Sequence, residues 1–336
     1  MQFELQKSRQ FSNDVILVDG SWGTGKSAIT PVISAFTGVE KKRIDPIIEY
    51  TAILNWLHKL GDDAAQTLFS NYADYFTYHN QIGREVNLRW SDDSGFRNSP
   101  GAARYLSRLF RRDGDHIVTE IETKQPATLL VSDFAVVAVK QLSVALGSRL
   151  KFIEVVRHPL YLVNYWDHYL RDFDRSREFT LASEVEGKRV PWIAADWVDE
   201  YLKASHFDRV LLLIARAQEL VFTKVVESPD CLVVPFEQFV TETDEWIDRF
   251  RVFLDREVEF GLRRIKRQHR LPRSNTSAGR QSNPRSWITV TSKSENHTYQ
   301  DLLSHVKTHA SPSVLNEFVP LLDKYEATYW SVARKR

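Results

Sequence analysis

Residues 15–27 read Val15-Ile16-Leu17-Val18-Asp19-Gly20-Ser21-Trp22-Gly23-Thr24-Gly25-Lys26-Ser27, an apolar run passing directly into a G-x-x-x-x-G-K-S loop. Glycines at this spacing let the backbone fold tightly, with successive N–H groups turned toward one point. Lys26 adds a full positive charge, and the helix-compatible run from Lys26 to Phe36 adds the positive end of its dipole. The expected ligand of the loop is therefore an anion, a phosphate or sulfate ester. Trp22 serves there either as a shield for the anion or as an anchor to the core.

Outward from the loop, the chain alternates apolar strands with helical patterns. Ala127–Val131, Leu150–Val156 and Cys231–Val234 read as strands, and the helical pattern Ala135–Leu146 lies between the first two. Strand, helix, strand at this spacing is a βαβ unit, which favours a parallel sheet. Asp45-Pro46 reads as an N-cap followed by proline at the first helical position, with Gly61 as the stop. From 46 to about 115 the chain is mostly helical and aromatic, interrupted by the polar stretch 84–95. Helix is expected again over 160–227, and Ser311-Pro312 opens a last helix with Leu315, Phe318, Val319, Leu322, Tyr325 and Tyr329 on one face. Pro31 should bend the helix that follows the loop. The whole predicts a three-layer α/β fold of the P-loop type. It is one domain over 1–336, with a central parallel sheet, helices on both faces and a helical insertion over 46–115.

Composition bounds the function. With 45 basic and 44 acidic residues in 336, the molecule as a whole offers no nucleic-acid-binding surface. One cysteine, Cys231, rules out an internal disulfide and suits a reducing compartment. Met1 is followed by Gln2-Phe3-Glu4 rather than a basic and then apolar leader, and no uncharged apolar run has the length of a membrane span. A cytoplasmic location is the expectation. His305 and His309 share a helix face but lack a third ligand, so no metal site is expected. The basic segment 261–286, with Lys or Arg at 263, 264, 266, 267, 270, 273, 280 and 285 and no acid from 261 to 285, is expected to be a mobile loop closing over an anionic ligand.

A second anion signal follows the strand Leu150–Val156, which runs into Arg157-His158-Pro159. Arg157 stands at the C-terminal end of a parallel strand, where open α/β sheets bind ligands. Its guanidinium either holds a phosphate with two parallel hydrogen bonds or pairs with a nearby carboxylate.

This order of features resembles the sulfotransferase superfamily. They are an N-terminal strand and phosphate loop, a strand ending in Arg-x-Pro, and Val233-Val234-Pro235-Phe236-Glu237-Gln238-Phe239 leading into a helix. The resemblance runs from about residue 13 to 330. It implies 3′-phosphoadenosine 5′-phosphosulfate (PAPS) as sulfuryl donor, with no metal, and a small-molecule or carbohydrate acceptor. By position, Ser21, Trp22, Gly23, Thr24, Gly25, Lys26 and Ser27 would hold the 5′-phosphosulfate and Arg157 the 3′-phosphate. Arg273, Gly279 and Arg280 would form the late cofactor loop. Where the family has a serine eight residues after its arginine, this chain has Tyr165 preceded by Asn164, either of which could donate to the 3′-phosphate. The loop departs from the family pattern in carrying Gly-Lys-Ser. Under that resemblance Lys26 would be the catalytic cation, and Asp133, just after Leu129-Leu130-Val131-Ser132, is the first candidate for the base. Glu85, Asp92 and Asp93 are alternatives. Glu237, at a strand-to-helix junction, is expected to act as a cap.

Two other readings stand beside this one. A P-loop kinase would use Ser27 on magnesium, Lys26 on the phosphates of ATP and Asp133 on the metal. A non-catalytic nucleotide-binding module would use the aromatic residues, 12% of the chain, as a partner surface.

Overall fold

The computed structural model describes residues 4–7, 9–84, 86–89, 95, 101–173, 179–228, 230–259, 261–273 and 299–330. Seven strands occur among them: β1 Val15–Asp19, β2 Arg43–Ile44, β3 Thr128–Val131, β4 Leu150–Val156, β5 Ala182–Val185, β6 Lys188–Pro191 and β7 Leu232–Pro235. Five form one parallel sheet in the order β2-β3-β1-β4-β7. Strand β1 is central, pairing Val15 to Val18 with Thr128 to Val131 on one side and Val15 to Asp19 with Leu150 to Glu154 on the other.

Burial on both faces explains the predominantly apolar character of β1, β3 and β4. Val15 and Leu17 point into one core with Leu130, Phe152 and Val156, covered by the helices Pro46–Trp56, Asp62–Gln81, Val139–Leu146, Pro159–Arg171, His206–Val226 and Pro312–Tyr325. Ile16 and Val18 point the other way, with Leu129, Ile153 and Val155. There they meet the helices Lys26–Ile33, Phe236–Thr241, Thr243–Leu254 and Leu262–His269. The period of two along β1 thus builds the expected three layers.

From β1 the chain leaves toward β2, whereas from β4 it leaves toward β7. The strand order reverses between β1 and β4, and the crevice outside the carboxyl ends of these two strands is where such sheets take ligands. The G-x-x-x-x-G-K-S loop opens there.

Several boundaries differ from the sequence expectation. The helix after the loop ends at Ile33 rather than Phe36, two residues beyond Pro31, whose ring removes a ladder N–H. The next helix ends at Trp56, not at Gly61; Gly61 instead precedes the helix Asp62–Gln81, and the Asn55 side chain bridges the gap by donating to Leu60 O and Asp62 Oδ1. In the stretch expected to be helical over 160–227, β5 and β6 form an antiparallel hairpin. Its two-residue turn, Glu186-Gly187, has positive φ at both positions (53° and 72°), the geometry that matches strand twist. The first half of the basic segment is the helix Leu262–His269, pinned by buried Ile265 and by Lys266 on Asp244; residues 274–286 of the expected loop lie outside the described residues. The last helix buries Val314, Phe318, Leu321, Leu322 and Tyr325, while Leu315 and Val319 flank that face and a π-helical turn Glu326–Trp330 follows. Among the described residues no helix is long and apolar enough to cross a membrane.

The Asp45 cap forms as expected, its Oδ1 accepting from Ile47 N at 3.1 Å. Asp45→Ala should lower stability by about 1 kcal/mol and Asp45→Asn by less, as read from urea unfolding midpoints.

Candidate anion-binding and transfer site

Only glycine can stand at two positions of the loop. Gly23 and Gly25 have φ of +82° and +97°; a Cβ on Gly23 would lie 2.9 Å from the Tyr165 ring, and one on Gly25 2.2 Å from the Phe236 ring. Flanking aromatics therefore press the loop into its shape. Lys26 Nζ donates to Gly20 O at 2.7 Å, to Ser21 O at 3.0 Å and to Asp133 Oδ1 at 2.5 Å. The ammonium is thus fixed across the loop, at the start of the helix Lys26–Ile33, whose first N–H groups are intrinsic anion donors.

Asp133 reaches Lys26 because it follows β3, the strand beside β1, and its side chain remains about one-third exposed. Its turn is held by Asp19, whose Oδ2 accepts from Val136 N at 2.7 Å and whose carboxyl also receives Ala135 N–H. Asp19 is the last residue of β1 and the register partner of Glu154 on β4. Both carboxyls are fully buried. Burial pushes the Asp19 pKa up to about 6, opposed by the Lys26 charge. Burial, and then the neighbouring Asp19, push Glu154 well above the usual carboxylate range. Sequence reading did not single out either residue; the available signal was an acid inside each apolar run, Val15–Asp19 and Leu150–Val156.

Arg157 is the second cation on the loop. Its Nη1 donates to Gly23 O at 3.0 Å, its guanidinium lies 4.7 Å from the centre of the Phe236 ring, and its Nε is buried without a partner among the described residues. No carboxylate pairs with it among the described residues, so the ion-pair alternative for Arg157 fails there. Arg273 lies 5.6 Å from the same ring. One phenyl ring therefore gathers two guanidiniums beside the glycine-rich loop.

The turn that carries Arg157 is clamped from the C-terminal side. Glu237 Oε1 accepts from His158 N at 3.0 Å and Oε2 accepts from Tyr325 O–H at 2.8 Å. This corrects the expectation for Glu237: it makes no side-chain cap on its own helix but ties β4, β7 and the last helix together. His158 Nδ1 accepts from Leu160 N, which leaves the ring proton on Nε2, facing Glu326 Oε1 at 3.3 Å. Burial lowers the His158 pKa to about 4, so the ring is neutral near pH 7.

The remaining expected residues fall as follows. Trp22 is buried, its ring 5.2 Å from Phe134, 5.0 Å from Trp166 and 4.4 Å from Tyr169, with its carbonyl accepting from Trp166 Nε1. Anchoring is its role, and its side chain is not presented to a ligand. Ser21 and Thr24 are also buried; Ser21 Oγ accepts from Gln218 Nε2 at 3.3 Å and Thr24 Oγ1 donates to Ser21 O at 2.9 Å. Ser27 is exposed. Tyr165 packs its ring on Gly23, and the Asn164 carbonyl is bonded by His168 Nδ1 within the helix. Glu85, Asp92, Asp93, Gly279 and Arg280 lie outside the described residues. His305 and His309 stack on each other at 4.2 Å, and no cluster of three or more His, Cys, Asp or Glu set for a metal occurs among the described residues.

Chemically, the assembly offers fixed cations and helix-start N–H groups for charge that develops on an anion, with a partly exposed carboxylate alongside. Neither a family model nor a curated protein matches the sequence. Among solved structures, the chain is similar to the sulfotransferase domain from the curacin biosynthetic pathway (10% identity, TM-score 0.44, covering 95% of this chain and 98% of that one). It is also similar to the sulfotransferase domain from the Synechococcus PCC 7002 olefin synthase (11% identity, TM-score 0.43, covering 96% and 98%). A third likeness is to sulfotransferase STF9 from Mycobacterium avium (10% identity, TM-score 0.38, covering 90% and 77%).

The buried acids give the protein a testable pH dependence. A carboxyl whose pKa is raised by folding retains a proton that the unfolded chain has released, so its contribution is present at low pH and lost as pH rises through the folded value. For Asp19 that window runs from its ordinary 3.8 to about 6, a loss on the order of 3 kcal/mol. Urea unfolding of Asp19→Asn between pH 3.5 and 7 should show this component of the slope removed; a slope identical to the unmodified chain would contradict the assignment.

Proposed function

We propose that the chain transfers a sulfuryl group from PAPS to a hydroxyl or amine of an acceptor. The observation that carries this reading is that Lys26 and Arg157 grip the same loop, one through the Gly20 and Ser21 carbonyls and the other through Gly23 O. Two separate cationic positions suit a ligand with anionic groups at both the 3′ and the 5′ positions of its ribose. A nucleoside triphosphate concentrates its charge at one end. The fit is supported by the buried, unpartnered Arg157 Nε and by the pairing of Arg157 and Arg273 on Phe236.

In this reading Lys26, with the amides of the helix start, holds the 5′-phosphosulfate, and Arg157 with Arg273 holds the 3′-phosphate. The donor supplies, when bound, a sulfuryl group on a phosphate leaving group. Asp133 takes the proton from the acceptor O–H or N–H as the new bond to sulfur forms and the bridging S–O bond breaks. Lys26 offsets the charge that appears on the departing oxygen. Asp19 fixes the Asp133 turn, and Trp22 fixes the loop from behind, so both partners keep their places.

The Mg·ATP kinase alternative draws on the Gly-Lys-Ser sequence and on Asp133 at the end of β3, beside Lys26.

Two variants test the assignment. Lys26→Ala should reduce turnover about 10²–10³-fold, with a modest drop in melting temperature from the three hydrogen bonds it removes. Arg157→Ala should weaken 3′,5′-diphosphoadenosine by about 10²-fold, as expected for two charge-assisted hydrogen bonds, and leave adenosine 5′-monophosphate nearly unchanged. Equal losses for both nucleotides, measured by calorimetry, would remove Arg157 from the 3′-phosphate.

A further inference from the structure

A cleft of about 700 Å³ lies between the end of the helix Pro159–Arg171, the β5–β6 hairpin and the start of the helix His206–Val226. Nothing in the reaction described above uses it. Two guanidiniums line it, and both are fixed by carbonyls rather than carboxylates. Arg189 donates to Phe173 O at 3.1 Å and Thr180 O at 3.2 Å, lying 4.8 Å from the Phe173 ring centre. Arg209 donates to Tyr201 O at 2.6 Å and Leu202 O at 2.8 Å, lying 5.0 Å from the Tyr201 ring centre.

Carbonyls orient a guanidinium without cancelling its charge. Among the described residues neither arginine forms an ion pair; even Glu184, the register partner of Arg189 across the hairpin, makes none with it. Among the described residues, the charged side chains lining the cleft are Lys188, Arg189 and Arg209 against Glu184. His206 is engaged with Asp167 Oδ1 at 2.9 Å, and Arg171 holds that same carboxylate. The first turn of a 21-residue helix, which contains His206 and Arg209, adds the positive end of its dipole. Preset, half-buried guanidiniums with little opposing charge are suited to a planar or tetrahedral oxyanion, and the volume is that of a small-molecule site.

Buried side chains join the cleft wall to the rear of the loop: Thr180 is bonded to Tyr169 O–H at 2.6 Å, and the Tyr169 ring packs 4.4 Å from Trp22. We propose that this cleft binds an anionic small molecule, a carboxylate or phosphate ester clasped by Arg189 and Arg209, at a site separate from the one that holds the sulfuryl donor.

The test is calorimetric titration of the full chain with glucose 6-phosphate and with glucuronate, each with and without saturating 3′,5′-diphosphoadenosine, and with glucose as the uncharged control. At least one charged probe should bind saturably in both conditions, and glucose at least 10-fold more weakly. Ser183→Glu adds a negative charge at an exposed hairpin position of the cleft and should weaken that probe at least 5-fold. Arg189→Gln should weaken it about 10-fold, with 3′,5′-diphosphoadenosine binding unchanged in both variants. Absence of saturable binding by either charged probe, equal binding of glucose, or charged-probe binding untouched by Ser183→Glu would overturn the site. If a probe binds in the cleft while 3′,5′-diphosphoadenosine does not bind at all, the donor assignment fails and the anion site stands.

Discussion

The Lys26 ammonium sits among three oxygens, two from its own loop and one from Asp133, and the geometry of the site follows from that placement. A charge this enclosed needs fixed partners, because an amine that lost them would be stranded in a poorly solvated position. The loop carbonyls hold it across the strand end. The Asp133 contact brings β3 into the same unit, and Asp19 locks the backbone behind Asp133. Beneath them lie two carboxyls on adjacent strands, at the point where the strand order reverses. Burial makes their charge costly, so Lys26 is also the cation that moderates the field around Asp19 and Glu154.

Around this centre the aromatic side chains act as formwork. Trp22 is packed against Phe134, Trp166 and Tyr169, so the middle of the loop cannot lift from the core. Tyr165 and Phe236 press on Gly23 and Gly25 from outside. Phe236 also seats Arg157 beside the loop, while Glu237, the next residue, holds the backbone after Arg157 and reaches Tyr325 of the last helix. A sequence-distant helix thereby sets the position of a cation at the end of β4.

Local chemistry made part of this legible from residues alone. The loop, Lys26, Asp133, Arg157 and the parallel strands could be read because each depends on a short pattern: glycine spacing, an apolar run, or a polar residue just past a strand. Asp19 and Glu154 could not be paired that way. They are 135 positions apart and meet only through strand register. The link from Glu237 to Tyr325 is likewise a tertiary fact. The β5–β6 hairpin was hidden by aromatic helices on either side, although Glu186-Gly187 between alternating residues is the turn such hairpins use. The basic helix Leu262–His269 was hidden by its charge, since one buried residue, Ile265, carries its apolar face.

The central claim is that two cations on one loop are set for an adenosine that carries anionic groups at both its 3′ and its 5′ positions. Calorimetric titration of 3′,5′-diphosphoadenosine without metal, against Mg·ATP on the same preparation, addresses it most directly. The account predicts saturable, metal-independent binding of 3′,5′-diphosphoadenosine at least 10-fold tighter than that of Mg·ATP. Tight, magnesium-dependent binding of ATP with none of the diphosphate would contradict it.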